Sequence, residues 1–122
     1  MRIFKNKSFD RFTRKEGIKD EDLWEAVERA NIGLISADLG AGLIKQRIAR
    51  SGRGKSGGFR SIIIFKADDR AFFVYGFAKN QKANINEKEL KALKKLSIQL
   101  LSYSEQDLLK AIQNGVFKEV IL

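Results

Sequence analysis

Apolar and polar positions alternate in the middle of the chain and repeat at helical spacing toward both ends. Leu43 to Arg50 alternates, sending Ile44 and Ile48 to one side and Lys45 and Arg47 to the other. Phe59 to Lys66 is a run of aromatic and β-branched residues, which favour strands. Ala67 to Arg70 reads as a turn, and Ala71 to Ala78 as a further strand. A Gly-rich segment, Ser51 to Gly58, links the first strand to the second. Three successive strands joined this way predict an antiparallel meander.

The flanks are helical. Phe9 and Phe12 fit a short helix from Ser8 to about Glu16 that Gly17 closes, and Asp20 is placed to cap a second, from Glu21 to Asn31. After the meander, Asn86 with Glu89 and Ser104 with Asp107 mark two helix starts, each followed by leucines at i, i+3 and i+4 spacing. Arg2-Ile3-Phe4 suits a short edge strand, Leu34 to Gly42 a loop, and Val116 to Leu122 a last strand or an arm. The expected architecture is a single α+β domain over residues 1–122, in which helices from both ends pack on a central antiparallel sheet of three to five strands.

Composition narrows the class. No apolar run approaches the roughly 18 residues that span a bilayer, and the N-terminus, MRIFKNK, lacks the apolar stretch of a secretory signal. With no cysteine, nothing points to an oxidising compartment, so a soluble cytoplasmic protein is expected, without membrane association. The absence of both His and Cys removes the usual zinc ligands, the Ser-His-Asp triad and the cysteine nucleophile. Any catalysis must draw on Lys, Arg, Tyr, Ser or carboxylates, and no metal or other cofactor is expected.

Charge is unevenly distributed. Of the net +9, residues 45–82 account for +8, with ten basic side chains against only Asp68 and Asp69. Such concentration suggests a polyanionic partner, against the plainer reading of a solvated basic face. The segment KQRIARSGRGKSGGFR contains GRGKS, but a P-loop requires Gly where Ala49 stands, and its Lys-Ser should open a helix rather than precede a strand.

If the strands are neighbours, Lys45 and Arg47, Arg60 on the next strand and Lys79 at the end of the third converge on one surface. Arginine forks onto phosphate oxygens, and a lysine crowded by cations loses its proton more readily, which suits it to act as a base. Tyr75 and Phe77 alternate with Val74 and Gly76 and offer faces for unpaired bases, although Phe72, Phe73 and Phe77 also fit a core.

KQRIARSGRGKSGGFRSIIIF, then DDRAFFVYGFAKNQKANI and the leucine-bearing helix, resembles the RelE/HigB group of bacterial toxin–antitoxin toxins across about residues 43–103. The resemblance implies a microbial-RNase-like sheet-and-helix fold. It also implies metal-independent cleavage of mRNA in the ribosomal A site, by attack of a 2′-OH on the adjacent phosphate. By the same likeness Lys45 and Arg47 match a basic strand pair, one member of which is the base, and Arg60 matches the arginine that stabilises the phosphorane. Lys79 lies near the arginine that serves some members as general acid, with Lys82 as the alternative match. Arg50, Arg53 and Lys55 would hold RNA backbone. Some relatives carry a tyrosine on the C-terminal helix that stacks on the base; none occurs here between Asn80 and Leu101, which leaves the role to Tyr75.

The implied partners are mRNA, the ribosome and a cognate antitoxin, a small helix-turn-helix DNA-binding protein. Two surfaces suit that antitoxin: the basic block, and the N-terminal helices with Phe9, Phe12, Leu23 and Trp24. Two other functions fit the residues, a ParE-like gyrase inhibitor and a nucleic-acid-binding module without activity.

Overall fold

The computed structural model describes residues 1–49, 58–79, 81 and 85–122. Along the chain run β1 (Arg2–Asn6), α1 (Lys7–Glu16), α2 (Asp20–Asn31), β2 (Ala37–Gly40), β3 (Leu43–Ile48), β4 (Phe59–Lys66), β5 (Arg70–Ala78), α3 (Glu87–Leu101), α4 (Glu105–Gln113) and β6 (Phe117–Val120). The strands form one six-stranded sheet in the order β2-β3-β4-β5-β1-β6. The fold is the expected α+β class, with one strand more than anticipated and one parallel pairing, β1 beside β5.

Helices cover the sheet on both sides, which explains why β4 reads as a continuous apolar run rather than an alternation. On one side Phe9 of α1 and Leu23, Ala26 and Val27 of α2 pack over Ile3, Ile44, Ile48, Phe59, Ile63 and Phe73. On the other, Leu100 of α3 and Leu108 and Ala111 of α4 cover Phe4, Leu43, Ile62, Ile64, Phe72 and Val74. No helix among the described residues is long and apolar enough to cross a membrane.

Capping residues set most helix boundaries. Asn86 and Ser104 accept from the backbone N–H groups of Glu89 and Asp107, as the sequence indicates. Gly17 closes α1 in the left-handed region at φ 68°. Asp20, by contrast, is the first residue of α2 and not its cap; the carboxylate of Asp22 accepts the Lys19 N–H at 2.9 Å instead.

Two sequence expectations change and a third, left between two alternatives, is decided. Leu34 to Gly42 is not all loop, because β2 forms a hairpin with β3 through Ala41 (φ 55°) and Gly42 (φ 80°). Positive φ at both central residues matches the twist of the strands, and Gly42 also leaves room for Leu101, which a Cβ would strike. Arg2-Ile3-Phe4 is not an edge: β1 lies inside the sheet, parallel to β5 and antiparallel to β6. Arg2 anchors it there, forking onto Glu119 at 2.9 and 3.0 Å and reaching Glu105 at 2.6 Å. Lys5 of the same strand is buried against Asp10 at 2.9 Å, and its hydrogen bond holds the Asp10 carboxyl below the usual carboxylate range. Thirdly, Val116 to Leu122 resolves into a strand, β6, at the sheet edge.

A β-bulge interrupts the β4–β5 ladder. Ile62 pairs with Tyr75 but Ile63 with Phe73, so Val74 is the extra residue. Val74 and Tyr75 therefore both lie toward α3, and the facing of every later residue of β5 is reversed. Gly76 confirms the reversal, since a Cβ there would meet the Phe12 ring of α1 at 2.5 Å. Asn6 stabilises the bulge: its Nδ2 donates to the Val74 carbonyl at 3.1 Å while its Oδ1 accepts from Phe9 N–H at 2.8 Å, capping α1. Replacing Asn6 by Ala removes both bonds and should cost about 1–3 kcal/mol of stability. Asn6→Asp, which keeps the cap acceptor but loses the donor, should fall in between. Urea denaturation of the three proteins measures both differences.

Candidate functional site

Past the bulge, three strands present their side chains to the α3 side and form a polar patch at the end of an otherwise apolar face. On β3, Gln46 and Ile48 turn toward α2, so Lys45 and Arg47 face the other way. Register sets their neighbours. Lys45 pairs with Ile62, which pairs with Tyr75; Arg47 pairs with Arg60, which pairs with Phe77. Lys45, Arg47 and Arg60 are thus brought together, as the sequence indicates. Lys79 is exposed, just beyond Ala78 at the end of β5, and makes no hydrogen bond or ion pair among the described residues. Arg50, Arg53, Lys55 and Lys82 lie outside the described residues.

Directly opposed residues of an antiparallel ladder hold their Cβ atoms about 4.5–5.5 Å apart, and like charges placed so repel. Arg47 and Arg60 are such a pair. Among the described residues no carboxylate forms a salt bridge with Lys45 or Arg60; the Arg60 Nη1 reaches only the Phe59 carbonyl, at 3.4 Å. The two acids of the basic block are remote. Asp68 and Asp69 occupy the β4–β5 turn, about 20 Å along the strand from Arg60, where Arg70 and Lys66 hold the Asp69 carboxyl below its usual range. An anionic ligand would therefore meet two cations, Lys45 and Arg60, that no described carboxylate pairs with.

Aromatic rings line the β5 side of the patch. The Lys45 ammonium lies 5.8 Å from the centroid of Phe77, within cation–π range, and the Tyr75 and Phe77 rings are 6.0 Å apart at 46°. Phe77 is buried, as its core reading anticipates, yet its ring supports the cation. Phe72 and Phe73 are core residues on opposite faces of the sheet.

The backbone beneath the cations is held by residues that sequence reasoning missed. Since β2 pairs only with Leu43 to Lys45, the next part of β3 has an open edge. Arg29 of α2, oriented by Glu25, donates to the Arg47 carbonyl there at 2.7 Å. Gln46, 1 % exposed, donates from Nε2 to the carbonyls of Ala26 and Leu34, each at 2.9 Å, and its own carbonyl accepts from Ser61 Oγ. One signal was legible, a polar Gln46 on the apolar side of an alternating strand.

The N-terminal aromatics do not form a free docking surface. Phe9 and Leu23 are buried, Phe12 packs edge-on against Phe59, and the Trp24 Nε1–H donates to the Val120 carbonyl at 3.3 Å.

The chain matches the family model of the RelE toxin of the RelE/RelB toxin–antitoxin system over residues 1–120. It belongs to the RelE toxin family. No curated protein sequence matches it. Family membership makes this chain the toxin of a toxin–antitoxin pair and implies a cognate antitoxin. In this RelE-family toxin, Gln46→Ala removes the side-chain donor from the buried Ala26 carbonyl and the part-buried Leu34 carbonyl, and a loss of about 1–3 kcal/mol is expected, to be read from thermal and urea unfolding.

Proposed function

We propose that this toxin is a metal-independent endoribonuclease that cuts translated mRNA at the ribosome and so inhibits translation in the cytoplasm. The observation that carries the reading is the grouping of Lys45, Arg47 and Arg60 on one sheet face, with no described carboxylate paired to Lys45 or Arg60. Such a set suits a phosphodiester whose negative charge increases during reaction.

In the proposed chemistry Lys45, as its neutral amine, accepts the proton of a ribose 2′-OH, whose oxygen then attacks the adjacent phosphorus. Arg60, with its planar fork, neutralises the non-bridging oxygens of the phosphorane, and Arg47 beside it shares that charge. The 5′-oxygen leaves with a proton from a general acid, for which Lys79 is the described candidate and Lys82 the alternative. The products are a 2′,3′-cyclic phosphate and a 5′-hydroxyl. Tyr75 supplies a stacking face, and Arg50, Arg53 and Lys55 add backbone affinity. The antitoxin, as a small helix-turn-helix DNA-binding protein, would inhibit by covering the basic face with an acidic segment.

Arg60→Ala and Lys45→Ala should each lower cleavage about 100- to 1,000-fold, the cost of losing a transition-state contact, while stability changes by no more than about 0.5 kcal/mol. Primer extension on mRNA from an in-vitro translation reaction measures the first and urea unfolding the second. Codon-positioned cuts by the wild type support the reading. Intact RNA with blocked gyrase would instead indicate a gyrase inhibitor. Cleavage should also persist when EDTA is added after ribosome complexes have formed; full inhibition reversed by magnesium or manganese would overturn the cation-only chemistry.

A further inference from the structure

A second group of cations sits at the same end of the sheet as the patch, on the far side of β5. β1 runs parallel to β5, so its last residue, Asn6, reaches the level of the Val74 bulge, and β6 begins beside it at Phe117. At this corner β1 passes into α1, and the turn after α4 passes into β6. A cavity of about 330 Å³ lies there, lined by Lys5, Lys7 and Lys118 together with Asp10 and Glu119.

The acids of the lining already have partners. One oxygen of Asp10 accepts from the Lys5 ammonium at 2.9 Å and the other from Arg14 at 3.0 Å. Both oxygens of Glu119 are held by the fork of Arg2. Lys5, and after it Lys118 and Arg14, keep the Asp10 carboxyl below its usual range, so it stays ionised on those partners. Lys7 and Lys118 are exposed, and neither ammonium forms an ion pair among the described residues. Lys118 stands directly opposite Lys5 across the β1–β6 ladder, the close spacing at which like charges repel. The Lys7 stem runs past Gly115, with its Cε 4.0 Å from where a Cβ there would lie.

Position identifies the anion that two such ammonium groups would take. β6 lies three strand spacings from β4, about 14 Å across the sheet. A nucleic-acid strand with one phosphate on Lys45 and Arg60 can pass over the end of β5 and bring another phosphate to this corner. Lysine, a point charge on a flexible stem, suits a backbone phosphate held for affinity rather than for reaction. We infer that the cavity between the start of α1 and the start of β6 is a second phosphate subsite, in which Lys7 and Lys118 hold a backbone phosphate a few nucleotides from the one on the patch. As a contact for the cleaved strand it rests on the ribonuclease reading; as an anion site it is tested separately.

The test follows the backbone amides of Lys7, Gly115 and Lys118 by NMR in the full chain at fixed ionic strength. Inorganic phosphate should shift them, and acetate should shift them much less. A short 2′-O-methyl oligonucleotide, which has no 2′-OH to attack with, should shift the same amides. In salt titrations of its binding, the double variant Lys7→Gln/Lys118→Gln should flatten the slope of log K against log salt by about 0.7, the loss of one single-strand phosphate contact. The charge-matched control Lys91→Gln/Lys95→Gln, two exposed lysines of α3, should leave the slope unchanged. Unshifted amides or an equal loss of slope in the control would each overturn the inference. Equal shifts with acetate would overturn it in favour of a carboxylate site for an acidic protein segment. Amides moved by free phosphate but not by the oligonucleotide would overturn it in favour of a site for the free ion. The two readings fail separately. RNA cleavage by a toxin whose salt slope ignores Lys7 and Lys118 sinks the subsite alone, whereas oligonucleotide binding at the cavity without any cleavage supports the subsite and sinks the ribonuclease.

Discussion

One extra residue in β5 decides which side of the sheet its last two rings join. Without Val74 looped into the ladder, Tyr75 and Phe77 would follow Phe73 to the α1 side, where the Phe9 and Phe12 rings already fill the space. With it, both rings join Lys45, Arg47 and Arg60. The bulge persists because its carbonyl has a partner: β1 pairs with β5 only as far as Phe73, and the Asn6 side chain bonds the carbonyl of the next residue. The same amide caps α1, so the start of the N-terminal helix and the bulge share the hydrogen bonds of a single side chain.

The patch itself is built against its own electrostatics. Opposed arginines repel, and packing and hydrogen bonds from the opposite side of the sheet hold the strands that carry them. Arg29, Gln46 and Ser61 fix the backbone of β3 and β4 under the charges, and Phe77 supports one of them from the side.

Much of this was legible in the sequence, for identifiable reasons. β4 matched its expected bounds because bulky β-branched residues give a dense strand signal, and α3 and α4 began at the expected caps because Asn and Ser bond their own helix starts. The convergence of Lys45, Arg47 and Arg60 followed from alternation along two adjacent strands. β2 was invisible, since Ala-Asp-Leu-Gly carries no strand pattern and depends on its hairpin partner. The interior place of β1 could not be read either, because a parallel neighbour distant in sequence leaves no local mark. The bulge escaped for the same reason: FFVYGF reads as a regular alternation until register with β4 shows one residue too many. Gln46 was visible as a polar residue out of place, but its partners in α2 and the following loop were not.

The interior position of β1 also bears on when the sheet becomes whole. β1 precedes the Val74 turn of its first neighbour by 68 residues and meets Glu119 of its second across 117. Contacts between such distant parts of a chain require large loops to close first, and they slow folding relative to local ones. During synthesis β1 can meet its first neighbour only once β5 has been made, and its second only once Val120 has. The last sheet contacts, including the Arg2–Glu119 fork, therefore form late, after the local hairpins that β3, β4 and β5 build among themselves.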